Sequence, residues 1–160
     1  MYKVSPDVQP RNQPTSACCW LTCLEMLFEW KKKDTSQILS TMDKSPNLFP
    51  YYMRDNGIAP GECKETAKAL GLRWAGDGEI DAQVLENALK AHGPYWVAGM
   101  WMKNFSHVIV VTGVNVITQE IKYINPWQNF DLSESSGNMS WLNARGDIWK
   151  NCDGSLMYWL

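Results

Sequence analysis

The chain changes texture at Gly93-Pro94, and that break constrains its fold more than any other feature. Before it, apolar residues recur three and four apart, the spacing of one helix face. After it, Tyr95–Met102, His107–Val114 and Glu120–Ile124 are runs of β-branched and aromatic residues with turn-like gaps between them. Helices first and strands later predict an α+β protein, a helical half packed on an antiparallel sheet. At 160 residues the chain fits one domain spanning 1–160. A chain of that size buries roughly 70% of its unfolded surface, enough for a core without staples.

Within the first half, residues 1–18 read as extended or loop. Trp20, Cys23, Leu24, Leu27 and Phe28 predict a helix from Cys19 to about Lys33, with Thr15, Ser16 or nearby backbone as cap and Lys31–Lys33 at its negative end. A short helix is expected over Ser36–Met42, then a loop closed by Pro46 and Pro50. Glu62–Leu70 reads as a helix stopped by Gly71, with Ala67 and Leu70 inward. Leu72–Ala75 reads as a short strand and Gly76-Asp77-Gly78 as a turn. Asp81 is placed to cap a helix through Leu89, with Val84, Leu85, Ala88 and Leu89 on its apolar side. In the second half, Ser133–Gly137 reads as a polar loop and Ser155–Trp159 as one more strand.

Charge and cysteine content exclude several functions. A formal net charge of −2 argues against nucleic acid or an anionic membrane as the main partner. No apolar run approaches a membrane span, and the first twenty residues lack a signal-peptide pattern. The five cysteines are Cys18, Cys19, Cys23, Cys63 and Cys152, an odd number with three of them clustered, which makes a poor disulfide framework. There is no CxxC pair, and His92 and His107 are the only histidines, so spacing supports no metal site. This usage suits a reducing compartment, and no cofactor is implied.

The stretch QPTSACCW, residues 13–20, ends at the start of the first helix. As a bare pattern its cysteines fit a nucleophile, a metal ligand, half of a disulfide or a small buried side chain. A free thiol has a pKa near ~8.5 and becomes a better nucleophile at a helix N-terminus or beside an imidazolium. Cys19 stands at such a helix start, and the imidazole must come from elsewhere. His92 lies at a helix end, where a cation on the dipole is the plain reading. His107 opens SHVIVVTGV, the most apolar strand, which holds a ring rigidly as a base requires. The next strand ends in Ile124-Asn125-Pro126-Trp127. If the two strands are neighbours, the Asn125 side-chain oxygen accepts from one ring nitrogen and leaves the other for the thiol, with Trp127 covering that bond.

Gln13 followed by Cys19-Trp20 on a helix resembles the nucleophile segment of papain-like cysteine peptidases. SHVIVVTGV and INPW resemble their histidine and asparagine segments, in the same chain order. The approach Gly93-Pro94-Tyr95-Trp96-Val97 is most similar to the short bacterial branch, which includes secreted effector proteases of plant pathogens. The similarity spans about residues 10–130. It implies Cys19 as nucleophile, His107 as general base and acid, Asn125 as orienter, and Gln13 with the Cys19 backbone N–H as oxyanion hole. Ser16 stands where secreted relatives often carry a disulfide cysteine, and Cys18 beside Cys19 departs from the pattern.

Three functions follow: a thiol endopeptidase cutting a protein substrate, a glutamine deamidase or transglutaminase using the same residues, or a silent interaction module. The resemblance further implies a cytoplasmic protein or an effector or toxin domain delivered by a specialised secretion system. A dedicated inhibitor or immunity protein would then be its second partner.

Overall fold

A computed structural model describes residues 1–76, 78–102, 105–127 and 133–160. Strand β1 (Tyr2–Lys3) is followed by helix α1 (Cys19–Trp30), a 3₁₀ turn at Thr35–Gln37, α2 (Ile38–Met42), α3 (Pro50–Asn56) and α4 (Pro60–Leu70). Then come β2 (Arg73–Ala75), α5 (Ala82–His92), β3 (Tyr95–Met102), β4 (Phe105–Val114) and β5 (Glu120–Ile124). The chain ends with β6 (Glu134–Asn138), α6 (Met139–Asn143), α7 (Asp147–Lys150) and β7 (Leu156–Tyr158). The strands form one sheet in the order β2-β7-β3-β4-β5-β6, and β1 pairs with the far end of β4. Every described pairing is antiparallel. This is the expected α+β architecture. The predicted turn at 76–78 includes Asp77, which lies outside the described residues.

Helix α1 forms where the apolar spacing places it, and it is buried on most of its circumference. Trp20, Cys23, Leu24, Met26 and Leu27 are all buried, a pattern that only a helix inside the protein shows. It packs across β4 and β3 on one side. Three tryptophans clamp it with their indole N–H groups. Trp20 donates from α1 to the Met53 carbonyl of α3 at 3.1 Å. Trp96 of β3 donates to the Trp20 carbonyl at 3.0 Å, and Trp159 to the Leu27 carbonyl at 3.0 Å. The aromatic bodies supply buried area while the N–H groups remain satisfied.

Several expectations need correction. The N-cap of α1 is Cys18, with no side-chain cap bond, so neither Thr15 nor Ser16 caps it. Lys31–Lys33 lie beyond its last turn, and Lys33 sits over the Trp159 ring, 5.1 Å from its centroid. Asp81 does cap α5, accepting from the N–H groups of Gln83 and Val84, but Val84 is exposed. It lies on the helix face turned from β4. Residues 50–56 form α3, with Pro50 at the start of the helix where a missing N–H costs nothing.

The polar run 133–137 is not a loop. Residues 134–138 form β6, which ladders onto β5 from Glu120↔Asn138 to Ile124↔Glu134. Glu134 anchors it, accepting from the buried Thr112 hydroxyl at 2.6 Å and from Lys3 Nζ at 2.7 Å. Backbone pairing, the Glu134 carboxylate and a hydrogen bond from Lys122 Nζ to the Ser136 hydroxyl hold an edge strand that has no apolar alternation.

Gly93 explains why α5 stops where it does. Its φ of +83° and ψ of −155° fall in a region reserved for glycine. A Cβ there would lie 2.3 Å from the Trp30 ring. Gly93→Ala is expected to destabilise the fold by about 1–3 kcal/mol. Urea unfolding checks this: the midpoint should fall with an unchanged m-value, and an unchanged midpoint would refute the steric argument.

Candidate active site

The stretch 13–18 bends at 14–15 and turns at 16–17, and it is tied at its start to the segment after β5. The Gln13 backbone N–H donates to the Pro126 carbonyl at 2.7 Å. Cys19 is the first residue of α1, and the Thr22 N–H closes the first helical bond onto the Cys18 carbonyl at 3.0 Å. One turn further, Cys23 donates its thiol to the Val108 carbonyl of β4 at 3.4 Å. That contact sets the nucleophile helix against the strand that carries His107.

His107 is the third residue of β4, after the exposed Phe105 and Ser106, rather than its first. Its ring is 2% exposed. Its Nε2 lies 2.7 Å from Asn125 Oδ1. Asn125 follows β5 directly, and the pairing of β4 with β5 brings the two side chains together. The Trp127 backbone N–H also donates to Asn125 Oδ1, at 3.0 Å. That donation fixes which end of the Asn125 amide is the oxygen. His107 Nε2 must then carry the proton, and Nδ1 is left with a free lone pair. The Trp127 ring meets the His107 ring edge-on, with centroids 5.7 Å apart, where it shields the bond.

Cys19 and His107 face one cleft of about 450 Å³. Ile58, Phe105, Trp127 and Trp149 supply its apolar walls. Trp149 comes from α7, and nothing in the sequence pattern marked it; its companion Ile148 points outward and is exposed. A larger cavity of about 750 Å³, between Asp81, Asn143 and Lys150, is lined by no cysteine or histidine.

The electrostatics of the pair differ from the expectation of a thiol made acidic by its surroundings. Burial pushes the Cys19 thiol up to about 11, although the backbone N–H groups of Val108, Trp20 and Cys19 itself pull it down. Burial also lowers His107 below its usual value, against the Asn125 hydrogen bond that raises it. Both shifts favour the uncharged species, because desolvation penalises whichever form carries charge. Burial thus biases the resting pair towards a thiol and a neutral imidazole.

Gln13 is buried at 1% exposure. Its Nε2 donates to the Thr15 carbonyl at 2.7 Å, which leaves one amide N–H uncommitted, and its Oε1 has no partner among the described residues. His92 is remote from the cleft, its ring against Tyr158 with centroids 4.9 Å apart. All five cysteines are free thiols. Among the described residues no group of three or more His, Cys, Asp or Glu side chains gathers to hold a metal.

A neutral resting pair predicts a distinct pH profile for Cys19. Its iodoacetamide labelling, mapped by mass spectrometry, should be slow at neutral pH and rise steadily towards pH 11, because its raised pKa delays thiolate formation. A labelling plateau already present between about pH 5 and 8 would indicate a thiolate–imidazolium pair instead.

A family model described as papain-like cysteine protease AvrRpt2 matches residues 2–145. No curated protein matches the chain. The matched span contains Gln13, Cys19, His107 and Asn125. The chain belongs to this family of papain-like cysteine proteases, and its enzyme class is that of a thiol protease.

Proposed function

We propose that the protein is an endopeptidase that hydrolyses a protein substrate through Cys19, His107 and Asn125, with Gln13 and the Cys19 N–H as oxyanion hole. The observation that carries this reading is the 2.7 Å contact from His107 Nε2 to Asn125 Oδ1, with Cys19 in the same cleft. As substrate enters, the Cys19 proton passes to His107 Nδ1 and Sγ attacks the scissile carbonyl carbon. The negative oxygen that forms is held by the Cys19 N–H and the uncommitted Gln13 amide N–H. The intermediate collapses to a thioester, and His107 returns the proton to the leaving amine. Water, deprotonated by His107, then releases the acid and restores the thiol.

Burial serves this cycle. A neutral imidazole at pH 7 is competent as a base, and a pKa lowered by burial keeps it neutral further into acid than an ordinary histidine. Thiolate is formed only where the oxyanion hole can receive the charge it passes on.

The setting we propose is the interior of a target cell, reached through a specialised secretion system, with the protein acting as an effector or toxin domain. Five unpaired thiols suit a reducing interior. A dedicated inhibitor or immunity protein would protect the producing cell. Among the described residues no helix is long and apolar enough to cross a membrane. We assign residues 1–160 to one domain, because a single hydrophobic cluster runs from Val4 to Trp159.

Mass spectrometry of proteins from a susceptible cell expressing wild type or Cys19→Ala tests the reaction. Cleavage produces two fragments, whereas deamidation adds about one dalton, as follows from resolving the same thioester chemistry on a side-chain amide. Fragments dependent on Cys19 are the expected result; a mass shift without fragments would assign the deamidase reading. His107→Ala should lower kcat by about 10²–10⁴ and His92→Ala should leave it near wild type. Asn125→Ala should fall between them with a normal fold. A dead His92→Ala would refute the proposed set.

A further inference from the structure

We infer that Cys18 and Thr15 are positioning residues that hold the Gln13 amide in its oxyanion-binding orientation, an inference that rests on the role proposed for Gln13. Cys18 stands directly beside the proposed nucleophile, and the structure shows what it touches. Its thiol is 2% exposed and turned away from the cleft, which Ser16, Ala17 and Cys19 line but Cys18 does not. The Thr15 backbone N–H donates to Cys18 Sγ at 3.4 Å, and the Thr15 hydroxyl donates to it at 3.2 Å. In return the Cys18 thiol donates to the Thr15 carbonyl at 3.4 Å. The same carbonyl accepts from Gln13 Nε2 at 2.7 Å.

The direction of that last bond is the key. Gln13 places its N–H group on Thr15 and leaves Oε1 buried without a donor among the described residues. An unpaired buried acceptor is unfavourable, so this rotamer persists only if its surroundings over-determine it. Turning the amide around would set two oxygens against each other at the Thr15 carbonyl. That carbonyl cannot swing away, because Cys18 holds Thr15 at three atoms and is itself locked into the first turn of α1, its own carbonyl accepting from Thr22. Sulfur contacts are individually weak. Three from one thiol to one residue nevertheless fix a short loop, and a fixed donor is what an oxyanion hole requires. The chain runs from Cys18 through Thr15 to Gln13, and ends on a donor that acts only once the intermediate forms.

Steady-state kinetics separate this role from a merely structural one, using a fluorogenic peptide chosen from a random library for cleavage by the wild type. Cys18→Ala should lower kcat roughly tenfold with KM changed by less than about twofold, since a misaligned donor weakens transition-state binding alone. Thr15→Val, at an exposed position, should give a similar loss in the same sense. Cys18→Ser, whose hydroxyl both donates and accepts, should recover most of the activity. The alkylation rate of Cys19 should be unchanged in all three, because the oxyanion hole does not act on the thiol. In a Gln13→Ala background, Cys18→Ala should cost nothing further. The inference is overturned if Cys18→Ala and Thr15→Val keep wild-type kcat, or if the Cys18→Ala loss multiplies with that of Gln13→Ala. A wild-type kcat in Gln13→Ala alone would instead remove the oxyanion role of Gln13, which distinguishes the two failures. If Cys18→Ala does not fold, Thr15→Val decides by the same criteria.

Discussion

The crossing of α1 over β4 is the contact on which the rest of the site depends. Cys23 spends its thiol on the Val108 carbonyl, and Trp96 spends its indole N–H on the Trp20 carbonyl. Both bonds are buried, and losing either leaves an unpaired polar group in the core. Together they set the rotation and height of α1 against the sheet. Cys19 lies one helical turn before Cys23, and His107 lies one residue before Val108. The lock that holds the core together thus also presents Cys19 and His107, the proposed nucleophile and base, to one cleft.

The same burial that makes the site rigid makes charge costly there. Cys19 is pushed up to about 11 and His107 is pushed down, so burial favours the uncharged form of both. In the proposed reaction, charge arises in transit and is met by groups already in place: the Asn125 carbonyl oxygen behind the ring and the proposed N–H donors before the oxyanion. Asn125 is well suited to this. Its Oδ1 accepts from both His107 Nε2 and the Trp127 N–H, so the imidazole can neither flip nor change tautomer without breaking a buried bond. The Gln13 backbone bond to Pro126 joins the two ends of the candidate site, because the loop that carries Gln13, the proposed oxyanion donor, hangs from the segment that carries Asn125.

The candidate site was legible in the sequence because three of its proposed side chains sit at boundaries with their own signals. Cys19 marks the onset of helical periodicity, His107 precedes the longest β-branched run, and Asn125 precedes a proline that ends a strand. What escaped was held by tertiary contact alone. Strand β6 has the composition of a loop and is a strand only because β5 offers its edge and Glu134 anchors it. Val84 fits an apolar face and is exposed because α5 turns its neighbours Leu85 and Leu89 to the sheet. Trp149 reaches the cleft from a four-residue helix too short to show periodicity. The direction of the Cys19 shift depends on how deeply the helix start is buried, which no local pattern reports.

In the proposed reaction Asn125 holds a neutral His107 with its free lone pair on Nδ1, ready to take the thiol proton. Nitrogen-15 NMR of the imidazole at pH 7 measures this directly. A protonated, pyrrole-like Nε2 and an unprotonated, pyridine-like Nδ1 are expected. An imidazolium with both nitrogens protonated, or the opposite tautomer, would contradict this.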